Sequence, residues 1–326
     1  MTDSKNSIAT SQTPQEYVGH ALDTLKEHFL HKERVTDDFC GGVLAQVATA
    51  QTLDDAHRII RDALKDLGER HSFFLTPAEW NDIQTAAPPE PEGRHLGRMA
   101  YLSIPWFGEN KHISGEEHAG KIQKLIAQLD TPDILGWIVD LRGNKGGNMW
   151  PMLAGLGPLL GDERVGAFQT RGKPDIFWAY KDGGAYADCV REVQAPEETH
   201  HRLRGNQPFV AVLIGDQTCS AGEAVAVAFR DRPDTRFFGA ATRGVSTSNS
   251  QYEMSDGARL VVTTSVFADR LGQAYPKGIS PDEVVEGAED VPLERNPVVQ
   301  SAMEWLAGKH KPTPEPRLKE HRRLGR

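Results

Sequence analysis

A serine stands at the junction of a predicted strand and a predicted helix. The apolar run that ends near Gly215 predicts a buried strand, the alanine- and valine-rich segment from Ala221 predicts a helix, and Ser220 lies between them in TCSAGE. The N–H of Ala221 can donate to an oxyanion there, with the helix dipole behind it. These features are typical of a catalytic nucleophile. They also fit a simpler role, in which Ser220 caps the helix and Glu223 closes a capping box.

A glycine-rich loop follows a second predicted strand. Residues 136–147 read GWIVDLRGNKGG, and Gly146 and Gly147 can present backbone N–H groups because no side chain covers them. The loop leaves the carboxyl end of a parallel strand, the edge at which open α/β sheets bind ligands. It lacks the ending of a phosphate-binding loop, and an ordinary tight turn is the alternative. Together with Ser220, the glycine pair predicts an acyl-transfer site at one sheet edge.

Two kinds of hydrophobic pattern position these segments. Near the N-terminus, apolar residues at three- and four-residue spacing predict three short helices, so residues 1–86 are expected to form a small helical subdomain. Prolines and glutamates predict a linker at 87–97, and a basic, proline-containing stretch predicts a disordered tail at 309–326. Residues 98–308 alternate strand and helix, which indicates an α/β core with a mostly parallel sheet. The predicted core strands are 99–107, 135–140, 209–215, 236–239 and 260–266, and the predicted core helices are 118–129 and 221–230.

Composition disfavours several classes of function. The 326 residues include 37 Lys and Arg against 46 Asp and Glu, and the resulting net charge of -9 disfavours binding to nucleic acid or to anionic membranes. No apolar run is long enough to span a bilayer, and the polar N-terminal segment has no signal-peptide core. A cytoplasmic protein is therefore expected.

Metal and cofactor sites are not expected. His28 and His31 are three residues apart on a predicted helix, and His200 and His201 are adjacent, but neither pair comes with a third ligand at a recognisable spacing. The cysteines lie far apart and are expected to be reduced thiols. They are Cys40, Cys189 and Cys219.

Five segments resemble, in order, the tail-specific or C-terminal processing serine proteases. They read YLSIPWF, VDLRGNKGG, TCSAGEA, GAATRGVSTSN and GISPDEVV, and the resemblance covers about residues 67–285. It implies a crotonase-like α/β core in which Ser220, with Glu223 three residues on, attacks a peptide carbonyl. It also implies oxyanion donors from the glycine pair together with the N–H of Ala221.

One departure indicates which branch of that family the chain resembles. The main branch deprotonates its serine with a lysine, but residues 244–246 occupy the matching stretch, and no lysine occurs between Lys181 and Lys277. The segment TRGVSTSNSQYEMSDGARL is similar to the branch typified by the tricorn protease core and the interphotoreceptor retinoid-binding protein. Tricorn-type enzymes use an upstream histidine. The resemblance therefore implies that His71, in LGERHSFFLTP, is the general base.

The resemblance describes the surroundings of that base less completely. Tricorn-type enzymes place a serine beside the histidine, for which Ser72 is available, and a glutamate late in the core, for which this chain has no counterpart. Asp269 is the predicted substitute; Glu223, or no charged group at all, is the alternative, and Asp269 fits a turn cap equally well. Ser248 and Asn249, in the polar loop STSNS, are predicted substrate contacts, although turn chemistry also explains them.

The combined prediction is a serine endopeptidase that cleaves peptides or one dedicated protein substrate through an acyl-enzyme on Ser220, with His71 as general base. The short stretch between His71 and the strand at Met99 leaves no room for a PDZ module. Two alternatives stay open: a hydrolase of a small ester or amide, and a catalytically inactive protein that binds peptides or small molecules on the same scaffold. The expected partner is a peptide or protein substrate, and the sequence assigns no oligomeric state.

Overall fold

The computed structural model describes residues 12–309, apart from 109, 111, 206 and 288–290. All but the first residue of the predicted tail, 309–326, therefore lies outside the described residues. The helices are α1 Pro14–His28, α2 Asp37–Val47, α3 Leu53–Asp66, α4 Pro77–Thr85, α5 Gly115–Leu129, α6 Met149–Leu160, α7 Ala221–Phe229 and α8 Pro297–Lys309. The strands are β1 Phe73–Leu75, β2 Glu92–Leu96, β3 Met99–Ser103, β4 Gly136–Asp140, β5 Arg164–Gln169, β6 Ile176–Lys181, β7 Gly184–Ala187, β8 Val190–Gln194, β9 Val210–Ile214, β10 Thr235–Gly239, β11 Thr247–Glu253, β12 Arg259–Asp269 and β13 Glu283–Val284. In this part of the chain no helix combines the length and the apolar character needed to cross a bilayer.

A six-stranded sheet leads to both halves of the predicted site. Its order is β13-β10-β9-β4-β3-β2, and every neighbouring pair is parallel except β2 with β3. The central strands β4 and β9 are buried along their whole length, as expected for mostly apolar runs covered on both faces. Because these two parallel strands are direct neighbours, the glycine loop after β4 and the Ser220 segment after β9 leave the same sheet edge.

A second sheet of seven strands is antiparallel, and the sequence predicts only one of its strands, 260–266, which lies within β12 and not in the parallel sheet. Its order is β1-β12-β5-β6-β7-β8, with β11 paired to β12. The prediction of a mostly parallel sheet is therefore incomplete. Most of the strands from β5 to β8 are only partly buried, so they lack the continuous apolar runs that mark β4 and β9.

The three N-terminal helices pack onto this second sheet. Helices α1, α2 and α3 share one apolar cluster with β1 and β12, and Leu25, Ile60 and Leu260 are buried within it. The sequence predicts the helices, but their core is completed by strands from the far end of the chain. The predicted linker also differs from the structure, because residues 92–96 form the edge strand β2 against β3. An edge position tolerates the preceding prolines, since no second neighbour needs their missing N–H groups.

A buried polar network ties these helices to the turn between β11 and β12. The Tyr17 hydroxyl donates to Asp256 Oδ1 at 2.7 Å, and His57 Nε2 lies 2.8 Å from Asp256 Oδ2. The Ala258 N–H also donates to Asp256 Oδ1, at 3.0 Å. Burial raises the pKa of the Asp256 carboxyl, but these hydrogen bonds outweigh burial and leave the pKa below its ordinary value. The charged form is therefore the one that the network stabilises.

Asp256→Ala is expected to lower the free energy of unfolding by about 2–4 kcal/mol, because the buried Tyr17 hydroxyl and His57 imidazole lose their partner. Urea unfolding at neutral pH measures the difference. The matched control is Asp62→Ala, which removes an exposed ion pair with Lys65 and should cost less than about 1 kcal/mol. Equal losses in the two variants would show that the network does not stabilise the docking of the helices.

Candidate active site

Ser220 adopts a strained backbone conformation between β9 and α7. Its φ is +53° and its ψ is -122°, a region that residues other than glycine rarely occupy. The residues Thr13, Thr52 and Ser114 cap their helices with ordinary extended backbone. Glu223 closes the predicted capping box on the Ser220 N–H, so Ser220 occupies the helix-cap position with a backbone that ordinary caps do not adopt. A sharp strand-to-helix turn of this kind is what holds a nucleophilic side chain clear of a sheet.

Gly146 lies directly against this turn, and Gly147 lies against the Phe107 segment. A Cβ atom at Gly146 would stand 2.8 Å from Ser220 Cβ, and one at Gly147 would stand 1.9 Å from the carbonyl oxygen of Phe107. The two glycines also have φ values of +104° and +97°. Both the conformation and the close approach require glycine. The N–H of Phe107 donates to the Gly146 carbonyl at 3.2 Å, so a neighbouring segment supports the loop in this position.

The backbone N–H groups beside Ser220 differ in their availability. Gly146 N–H donates to the side-chain oxygen of Asn144 at 3.0 Å, so it is not free to bind an oxyanion, although the sequence predicts both glycines as donors. Within the part of the chain that the structure describes, the N–H groups of Gly147 and Ala221 donate to no protein group. Ala221 is the first residue of α7, where N–H groups have no acceptor within the helix. These two donors are suited to a negatively charged oxygen.

Glu223 connects the Ser220 turn to the loop before β11. Its fully buried carboxylate accepts hydrogen bonds from the N–H groups of Ser220 and Val245 through Oε2, both at 3.0 Å. Through Oε1 it accepts from the Thr242 hydroxyl at 2.6 Å and from Gly244 N–H at 3.0 Å. Burial raises the pKa of Glu223, and the four hydrogen bonds oppose that rise. Its contacts do not include His71, so Glu223 acts as a structural bridge.

His71 is bound to the strand that follows the same loop. Its Nδ1 lies 2.6 Å from the Thr247 hydroxyl oxygen, and the Asn249 side-chain amide donates to the His71 carbonyl at 2.9 Å. Its Nε2 has no hydrogen-bond partner among the described residues, so the structure does not bring it within hydrogen-bond distance of the Ser220 hydroxyl. If Nδ1–H donates to Thr247, Nε2 is the unprotonated nitrogen and can accept a proton. Burial lowers the pKa of His71 below its ordinary value of 6.5, against a smaller upward effect of the Glu69 charge.

Glu69 holds the His71 segment in place, and the sequence prediction missed it. Its carboxylate accepts from the N–H groups of His71 and Ser72 at 2.8 and 2.6 Å and from the Thr263 hydroxyl at 2.9 Å. The Ser72 hydroxyl donates to the Thr263 hydroxyl and accepts from its N–H, so Ser72 anchors the segment to β12. Carboxylate side chains in polar turns often accept hydrogen bonds from nearby backbone N–H groups. The position of Glu69, two residues before His71, could therefore have predicted that it holds this segment.

Asp269 lies elsewhere and does not orient His71. Its Oδ1 accepts from the N–H groups of Leu271 and Gln273, both at 2.9 Å, and its Oδ2 accepts from the Tyr275 hydroxyl at 2.7 Å. These are the contacts of an aspartate that caps a turn. The predicted orienting role of Asp269 is therefore corrected, and the neutral hydroxyl of Thr247 occupies that place beside the His71 ring.

Ser248 and Asn249, both predicted as substrate contacts, flank a β-bulge in the pairing of β11 with β12 and have different surroundings. The Asn249 amide group bonds the His71 carbonyl and the Thr263 hydroxyl, so it supports the His71 segment. Ser248 instead lines a groove. The structure does not bring the two side chains together.

The neighbouring thiol is not arranged as a nucleophile. Cys219 is buried, its thiol donates to the carbonyl oxygen of Lys145 at 3.1 Å, and burial raises its pKa, so the thiol stays protonated at neutral pH. No cluster of three His, Cys, Asp or Glu side chains that could hold a metal ion occurs within the described ranges.

Comparison with protein families identifies the core. The model of peptidase family S41 matches residues 98–285, which is more than half of the chain. The chain belongs to peptidase family S41. The matched range includes the glycine loop, the Ser220 turn and the loop bonded to Glu223. His71 lies upstream of it, on the segment that the N-terminal helices position.

Curated relatives of this S41 chain fall into two groups. The nisin-resistance protein of Lactococcus lactis subsp. lactis is 27% identical over 306 residues, which are 90% of this chain and 87% of that protein. The carboxy-terminal processing protease CtpA of Bacillus subtilis (strain 168) is 28% identical over 172 residues, 52% of this chain and 33% of that protease. The chain thus matches the nisin-resistance protein over most of the length of both proteins. It spans about a third of the length of CtpA.

Solved structures agree on the fold of the S41 chain. A lipoprotein from Streptococcus agalactiae matches with a TM-score of 0.75 at 23% identity, over 93% of this chain and 99% of that one. The tricorn protease matches with a TM-score of 0.56 at 12% identity, over 91% of this chain and 37% of that one. At these identities the likeness concerns the fold alone. The resemblance to C-terminal processing proteases is confirmed by sequence, and the tricorn protease shares the fold.

Gly147→Ala is expected to lower the free energy of unfolding by about 2–4 kcal/mol or to prevent folding, because the new methyl group would collide with the Phe107 carbonyl at a positive φ. Urea unfolding followed by circular dichroism measures the effect. The matched control is Gly143→Ala in the same loop, where a Cβ atom would meet nothing within 4 Å. A Gly147→Ala protein as stable as Gly143→Ala would contradict this account of the loop.

Proposed function

We propose that this chain is a serine peptidase that cleaves a peptide or protein substrate through an acyl-enzyme on Ser220. The observation that carries the proposal is the strained turn at Ser220 beside the unpaired N–H groups of Gly147 and Ala221. Membership of peptidase family S41 supports a peptidase over the alternatives of a small-ester hydrolase or an inactive binding protein. The adjacency of β4 and β9, which lead to the two halves of the site, supports a crotonase-like core.

His71 is the proposed general base and acid. Nε2 accepts the proton of the Ser220 hydroxyl as its oxygen attacks the substrate carbonyl, and the N–H groups of Gly147 and Ala221 bind the oxyanion of the tetrahedral intermediate. The imidazolium then gives the proton to the leaving amine as the peptide bond breaks. In the second half, His71 deprotonates a water molecule that attacks the acyl-enzyme, and the proton returns to Ser220.

Two groups divide the orienting task that one carboxylate performs in a Ser-His-Asp triad. The Thr247 hydroxyl can accept a hydrogen bond from Nδ1–H, and in that tautomer Nε2 is free to accept a proton. Glu69 binds the backbone N–H of His71 and supplies the negative charge that favours the imidazolium. Both are positioning residues, because they act through His71 and not on the substrate.

The near full-length match to a protein named for nisin resistance makes nisin the first substrate to test. The match to the carboxy-terminal processing protease CtpA covers about a third of that protease. Peptides that need no separate recognition module are therefore favoured as substrates.

A fluorophosphonate probe should label the protein at Ser220, and Ser220→Ala should abolish the labelling. His71→Ala should slow the labelling by at least about 100-fold, because the hydroxyl loses its base. Labelling is measured by gel fluorescence against time, with Ser248→Ala as the control that keeps the wild-type rate. Well-folded wild-type protein that takes no label, or label that persists in Ser220→Ala, would sink the proposed nucleophile.

The labelling rate is expected to fall in acid with a midpoint below 6.5, because burial lowers the pKa of His71 and only its neutral form is a base. Glu69→Gln should move the midpoint lower still, since the negative charge raises that pKa. The rate constant measured against pH for both proteins gives the two midpoints. If Glu69 only held the loop in place, Glu69→Gln would change the labelling rate without moving its pH midpoint. That outcome would remove Glu69 from the mechanism.

A further inference from the structure

A groove of about 470 Å³ lies on the face of β11 that points away from His71. The C-terminal end of α1 with the turn after it forms one wall, and the end of β5 with the start of β6 forms another. Ser248 and Ser250 belong to its floor, whereas the alternate residues Thr247 and Asn249 bond to His71 on the opposite face. The groove is therefore separate from the Ser220 site.

Unpaired positive charge distinguishes this groove. Lys32, Arg171 and Lys173 line it, all three are exposed, and no carboxylate of the described residues lies within 4.0 Å of their charged groups. Glu33 is the one acidic side chain among its lining residues, and that carboxylate lies beside His31. The whole chain carries more acidic than basic residues, so this surface departs from the average charge of the molecule.

The remaining lining groups suit an extended polypeptide. Ser248, Ser250 and Thr170 provide hydroxyl groups, and the side chain of Ile176 is 45% exposed at the edge. The volume falls in the range of clefts that bind ligands. The three cations stand on two separate segments, so they match several carboxylates along a chain better than one terminal carboxylate.

We propose that this groove binds an extended acidic segment of another polypeptide, outside the Ser220 site. Carboxylate side chains of the segment pair with Lys32, Arg171 and Lys173, its backbone lies near the hydroxyl groups of β11, and an apolar side chain covers Ile176. The bound protein is held to the enzyme by a contact that is independent of peptide-bond cleavage.

The test uses a dye-labelled peptide of about ten residues, long enough to cross the groove in extended form, that alternates Glu with small apolar residues and is blocked at both ends. It is titrated with Ser220→Ala protein by fluorescence anisotropy. Binding should weaken as salt rises. The combined variant Lys32→Glu, Arg171→Glu, Lys173→Glu should lose at least about tenfold in affinity, and the same peptide with Gln for Glu should bind at least about tenfold more weakly.

The matched control reverses three exposed cations elsewhere, Lys181→Glu, Arg191→Glu and Arg295→Glu, and should keep the affinity within about twofold. Equal weakening in both triple variants would assign the attraction to overall charge and overturn the proposal. An undiminished Gln peptide, or tight binding of a peptide whose only carboxylate is a free C-terminus, would overturn it as well. Circular dichroism verifies that every variant is folded. Because Ser220→Ala carries the measurement, the outcome is independent of whether the chain is a peptidase.

Discussion

The buried carboxylate of Glu223 is the interaction on which the site geometry depends. It accepts hydrogen bonds from the Ser220 turn on one side and from Gly244 and Val245 on the other, and so joins the edge of the parallel sheet to the strand that carries Thr247. A carboxyl group without these donors would be costly to bury, so the group and its donors are stable only together. The Ser220 turn and the loop that leads to Thr247, the hydrogen-bond partner of His71, are thus joined through one side chain.

The second requirement is the docking of the N-terminal helices. His71 follows α3, and α3 is held to the antiparallel sheet by a shared apolar cluster and by Asp256. Ser220 and the glycine loop belong to the parallel sheet and do not need those helices for their own conformation. A local opening of the helical part would therefore displace His71, the proposed base, while leaving Ser220 and the N–H groups of Gly147 and Ala221 in place.

Local sequence was enough to predict one half of the molecule. The strands β4 and β9 are nearly continuous apolar runs, so the parallel sheet, the glycine pair and Ser220 at their ends could all be identified. The antiparallel sheet was missed because most strands from β5 to β8 are only partly buried. The partner of the His71 ring could not be predicted, because Thr247 is 176 positions away and its approach depends on tertiary packing. The Gly146 N–H was assigned wrongly for a similar reason, since its use depends on where the Asn144 side chain points.

The close approach of Gly147 to Phe107 has an evolutionary consequence. Within four positions of one loop, the room for a side chain changes from open space at Gly143 to none at Gly147. Substitutions at Gly143 would therefore be tolerated, whereas substitutions at Gly147 would be removed by selection for a folded protein. A lineage could change the residue at position 143 freely for as long as it kept Gly147. This loop would then diverge in composition without any change in the path of its backbone.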